Sequence, residues 1–145
     1  MCDEFVKNLS FFYFQQNYLL GIKVPLFFGW KIKNKEDVFG WMTLTSNIFT
    51  IDISNAGRGP YCGDTGQDNL CHVENYYSND LITMNLFSYN GKDEEIFGTI
   101  RKNYDENEGR VWISVKYSGI ENRKLTDLEN QELFNLLDSI QLIRE

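Results

Sequence analysis

The chain has 145 residues, 42% apolar and 15% aromatic, with 14 Lys/Arg against 21 Asp/Glu and a net charge of −7. That composition excludes a disordered chain and fits a single globular domain, residues 1–145, large enough to bury a core. The acidic balance repels phosphate backbones, so the expected partner is a basic protein and not a nucleic acid.

The longest apolar candidate, "LSFFYFQQNYLLGIKVPLFFGW", is interrupted by Gln15, Gln16, Asn17, Lys23 and Pro25. No run reaches the roughly 18 residues of a membrane helix, and no membrane partner is expected. The opening "MCDEFVKN" is acidic, and no apolar core with a small-residue cleavage site follows it. It does not read as a secretory signal, so the expected compartment is the cytoplasm, with three reduced cysteines. Phe5, Val6 and Leu9 share a helical face and predict a short N-terminal helix. "SFFYFQQ" reads as a strand by aromatic enrichment, and "YLLGIKV" as a second strand stopped by Pro25. "GWKIKN" alternates Trp30 and Ile32 with Lys31 and Lys33, the pattern of a half-buried strand.

"FGWMTLT" and "NIFTIDIS" predict a hairpin turning near Ser46-Asn47, with Phe49, Ile51 and Ile53 on one face and Thr50 and Asp52 opposite. Residues 55–80 show no sustained period, are rich in Gly, Asn and Asp, and read as one long loop. Asn90-Gly91 predicts a tight hairpin between strands 81–89 and 95–104, because both residues tolerate positive φ. "DENEG" then reads as a turn, and "RVWISVKYS" alternates Val111, Ile113, Val115 and Tyr117 with Arg110, Trp112, Ser114 and Lys116. These runs form an antiparallel meander over 81–118. In "LTDLENQELFNLLDSIQLI", Thr126 and Glu129 make a capping box, and Leu133, Phe134, Leu137 and Ile140 an apolar stripe. The expected fold is therefore α+β: a mainly antiparallel sheet of six or seven strands, with N- and C-terminal helices packed on it.

Two places resemble the PsbP-like family of α/β sandwich proteins. In "IKVPLFFGWKI" a strand runs into Pro25 after Val24, and Trp30 begins the next. The terminal helix "LFNLLDSIQLI" looks like that family's closing helix with its Ser-Ile pair. The resemblance covers about a quarter of the chain by motif. It implies an antiparallel sheet with packed helices and no single activity, since members serve as assembly factors, binding modules and lipoprotein domains.

"YCGDTGQDNLCH", residues 61–72, concentrates the chain's chemistry-bearing side chains. Cys62 and Cys71-His72 lack the close ligand pairs of a structural zinc site. A Cys62–Cys71 disulfide is sterically feasible but would not persist in a reducing cytosol. Asp64-Thr65-Gly66 spells an acid-protease triplet, yet no apolar strand leads into it and no second triplet occurs. Asp64, Gly66 and Asp68 fail a calcium loop, which would need Gly at Asn69 and Glu at Asn75. A thiolate of Cys62 or Cys71 beside His72 needs the fold to bring them together. The residues therefore predict no catalytic set, no metal site and no cofactor, and a glycine-punctuated loop shaped by Asp64 and Asp68.

Charge is uneven: residues 1–60 carry six Lys/Arg against five Asp/Glu, and residues 61–145 eight against sixteen. The functional expectation is a non-enzymatic protein-binding module, in its most concrete form a small cytosolic inhibitor or immunity protein that neutralises a basic toxin. Its contacts are expected at adjacent hairpin ends, Asp93, Glu94, Glu95, Asp105, Glu106 and Glu108, with Tyr104 as an aromatic anchor. The alternatives are a PsbP-like assembly or ligand-binding domain, and a small enzyme using the 55–80 loop with His72.

Overall fold

A computed structural model of the protein describes residues 15–19, 21–26, 29–36, 40–55, 70–101 and 111–143. They contain β1 (Gln15–Leu19), β2 (Ile22–Leu26), β3 (Lys31–Glu36), β4 (Trp41–Thr45) and β5 (Phe49–Ser54). Next come β6 (Cys71–Ser78), β7 (Ile82–Tyr89), β8 (Lys92–Ile100), β9 (Val111–Tyr117), α1 (Asp127–Ser139) and β10 (Gln141–Leu142). Seven strands build one sheet in the order β3-β4-β5-β9-β8-β7-β6, and β1-β2-β10 form a smaller one. Every pairing in both sheets is antiparallel.

Period-two alternation decides which face of the large sheet becomes core. Phe49, Ile51 and Ile53 of β5 are buried while Thr50 and Asp52 are exposed. On β9, Val111, Ile113, Val115 and Tyr117 are buried. The register sets Ile51 and Ile96 on either side of Val115, and Ile53 and Gly98 on either side of Ile113, so the apolar rows align across strands. Helix α1 delivers Leu133, Leu136 and Leu137 to the same cluster, together with Ile22 and Val24 of β2. Each such leucine stabilises by about 1.5–3 kcal/mol, so packing rather than intrinsic propensity holds the helix.

The structure bears out the Ser46-Asn47 hairpin, the β7-β8-β9 meander and the capped C-terminal helix. At the β7-β8 turn, Asn90 and Gly91 take φ of 52° and 80°, the left-handed pair that a two-residue hairpin requires.

Four expectations are corrected. "YLLGIKV" is not one strand: the chain reverses between Leu19 and Ile22, and β1 and β2 pair with each other. Pro25 does not stop β2 but lies inside it, opposite Gln16. Ile143 N donates to Gly21 O, so backbone groups at 21, 23 and 25 face the β10 side of β2. β10 reaches only Ile22 and Lys23, so the N–H that proline lacks has no ladder partner to lose. The 55–80 loop is also too long, because residues 71–78 are β6, antiparallel to β7. Its mixture of His, Glu, Asn and Tyr hides the period because His72 to Asn75 are exposed on both sides of this edge strand. Finally, Asp93, Glu94 and Glu95 do not sit in a turn: β8 begins at Lys92, so all three belong to the strand. The N-terminal helix over 2–9 lies outside the described residues.

Candidate functional site

The residues connecting β9 to α1 gather the charges that matter most. Tyr117 OH donates to Arg123 O at 2.9 Å, and the Arg123 guanidinium lies 5.4 Å from the Tyr117 ring centroid. Its Nη1 and Nη2 donate to the two Glu129 carboxylate oxygens at 2.8 and 3.2 Å, a bidentate fork. Glu129 Oε1 also accepts from Thr126 N at 2.9 Å, while Glu129 N donates to Thr126 Oγ1 at 3.2 Å. The predicted capping box is thus formed, with arginine added to it. That arginine, helped by the Thr126 amide, holds the Glu129 carboxyl down at about 2.

Lys124, next in the chain, reaches Asp93 on β8 at 2.5 Å. The Asp93 carboxylate holds the Lys124 ammonium above the usual lysine value. Asp93 is 8% exposed, so this pair compensates a carboxylate that the fold has removed from water. Glu95, on the opposite face of β8, accepts a short hydrogen bond from Ser114 Oγ of β9. Asp93 and Glu95 are therefore engaged within the fold and are not free charges at a hairpin tip. Glu94 is half-buried between them. Tyr104, Asp105, Glu106 and Glu108 lie outside the described residues, as do Cys62, Asp64 and Asp68.

With Arg123 and Lys124 committed, the outer side of α1 is left acidic. Asp127 and Glu132 are exposed, and Leu128 beside them is 84% exposed. Among the described residues the ion pairs bring no cation to these two carboxylates. The inner edge of the helix is fastened to β6 instead. Phe134 stacks on Tyr77 at 5.1 Å and packs tilted on Tyr76 at 5.3 Å between centroids. Tyr76 OH donates to Asn130 and Tyr77 OH to Asp138, both at short range. Burial raises the Tyr76 phenol well above its ordinary value, so it stays a donor at any physiological pH.

His72 stands on β6 with its side chain 72% exposed, 3.9 Å from Glu74. Cys71, its neighbour, is disulfide-bonded, and its partner lies outside the described residues. That overturns the expectation of three reduced thiols, and it removes Cys71 as a thiolate nucleophile for His72. No group of three or more His, Cys, Asp or Glu side chains is placed to hold a metal among the described residues. No helix among them is long and apolar enough to cross a membrane.

The sequence reading missed Arg123, Lys124, Tyr76 and Tyr77 as structural anchors. Two signals were present: a basic pair directly before a capping box, and adjacent tyrosines before a turn. Comparison with protein-family models, curated proteins and solved structures finds no match.

Proposed function

We propose that this chain is a non-enzymatic module that binds a basic protein through the solvent face of α1. The observation that carries this reading is the placement of Asp127 and Glu132 with no described cation beside them, on a helix with no basic residue in its last turn. Exposed Leu128 gives the same face an apolar contact point. A carboxylate-rich helix steers a cationic partner and fixes its orientation. An inhibitor that occupies the cleft of a basic toxin is the most concrete form of this function, and the chain's net charge of −7 supports it.

The test is affinity capture by the wild type and by the double variant Asp127→Lys, Glu132→Lys. The reading expects a stoichiometric basic partner, captured at low salt, weakened at high salt and lost from the variant, whose circular dichroism stays native. A partner held equally by both proteins, or one indifferent to salt, defeats it.

A further inference from the structure

The large sheet ends in β3 on one side and β6 on the other, and the two edges are built differently. β3 carries Lys31, Lys33 and Lys35 and a register irregularity between Ile32 and Asn34, devices that discourage another strand from pairing. β6 carries no lysine. Its stretch from His72 to Asn75 is exposed, Val73 is 48% exposed, and the bulge comes only after Asn75.

Backbone direction along β6 follows from one bond. Asn90 N donates to Leu70 O, so residues 70, 72 and 74 turn their backbone groups toward β7. Val73 and Asn75 therefore turn theirs outward, and among the described residues no strand pairs with them. Side chains alternate in the same way. His72 and Glu74 project from the face that carries Leu86, while Val73 projects from the opposite face with Phe87.

We infer that β6 pairs antiparallel with β6 of a second copy of this chain, with Val73 opposite Val73 on the twofold axis. Three features select this occupant and register. Val73 presents an outward N–H and C=O, so two copies exchange both bonds there. The register places His72 opposite Glu74 of the second copy, twice by symmetry, forming two complementary cross-strand pairs. It also covers the exposed Val73 side chain with its own equivalent. Centring the pair on Glu74 fails on both counts: the backbone groups of 74 already face β7, and carboxylate would oppose carboxylate. The contact is isologous, as a closed dimer requires, and joins two seven-stranded sheets edge to edge. Only residues 72–74 of each copy form the contact and each copy carries a charge of −7, so the dimer is weak.

Sedimentation over a concentration series up to roughly 0.5 mM tests this. Wild type is expected to show a reversible monomer–dimer equilibrium, with hydrogen-exchange protection at the Val73 amide that grows with concentration. His72→Glu sets carboxylates against carboxylates and is expected to weaken the dimer about tenfold. Adding Glu74→His to that variant restores the complementary pairs and the association. Val73→Lys is expected to be monomeric with an unchanged melting temperature, since the side chain is exposed. A wild type that stays monomeric throughout, a His72→Glu variant that associates like wild type, or a double variant that stays as weak as the single one overturns the inference. So does Val73 protection that appears only on adding another protein.

Discussion

Gly98 offers the sharpest test of the sheet as described. It sits mid-strand on β8 opposite Met84 of β7 and Ile113 of β9, on the core face. A Cβ built there lies 2.8 Å from both Cα and Sδ of Met84, and closer than 3.0 Å to the carbonyl oxygen of Thr83. Carbon contacts relax at about 3.5–4.0 Å, so Gly98→Ala must push β7 and β8 apart by at least about 0.7–1.2 Å. A ladder bond of about 2.9 Å then stretches to about 3.7 Å and is lost. Losing two such bonds, with their buried groups left unpaired, costs about 3–6 kcal/mol. At about 2–4 °C per kcal/mol, the melting temperature falls by about 10–20 °C. Gly91→Ala is the matched control. It meets nothing within 4 Å, so its cost is only the strain of φ +80°, about 1–2 kcal/mol. Urea unfolding followed by tryptophan fluorescence measures both. If Gly98→Ala costs no more than Gly91→Ala, the β7-β8 approach described here is wrong.

Two further outcomes follow from the charges and the disulfide. Glu129 has its carboxyl lowered to about 2 by Arg123 and the Thr126 amide, so the stability it adds is present above its unfolded value and disappears as pH falls from about 5 toward 2. Glu129→Gln is expected to flatten acid unfolding in that window, and an unchanged profile refutes the assignment. Alkylation of the unreduced protein followed by intact-mass measurement is expected to mark one cysteine, and all three after reduction, because the chain has three and Cys71 is paired. Reduction should then lower stability by about 2–4 kcal/mol; three alkylated thiols without reductant contradict the bond.

Much of the fold was legible where local chemistry and burial agree. "NIFTIDIS" and "RVWISVKYS" alternate because each strand has one buried face, and Asn90-Gly91 announces its turn by tolerance of positive φ. The helix start was readable to the residue, since Thr126 and Glu129 satisfy each other's backbone donors within one turn. β6 was not legible. It is exposed from His72 to Asn75 and then bulges, so no alternation survives. The acids of β8 misled for a related reason. Asp93-Glu94-Glu95 beside Asn90-Gly91 reads as a solvated turn, and only Lys124, 31 residues away, makes a buried Asp93 tolerable. Ring contacts across strands, such as Phe97 stacked on Trp112 at 5.4 Å, likewise depend on register that sequence spacing does not contain. The candidate site suffered most, because its defining event is the consumption of two cations by partners far along the chain or inside a cap.

That consumption links stability to the proposed binding face, and it separates the two experimentally. Arg123 and Lys124 neutralise Glu129 and Asp93, both of which face inward or into the cap. The same two bonds therefore fix the β9-α1 connection and leave the helix acidic. Charge reversal at Glu132 touches only the exposed face, so it should change partner capture while leaving the unfolding midpoint within about 0.5 kcal/mol of wild type, whereas reversal at Asp127 also loses the about 0.3–1 kcal/mol that an acid adds in the first turn of a helix. Replacing Arg123 breaks the bidentate fork and the Ser118 carbonyl contact, so it should lower stability and release a carboxylate at once. A module whose acidic face were merely solubilising would show the second effect and never the first.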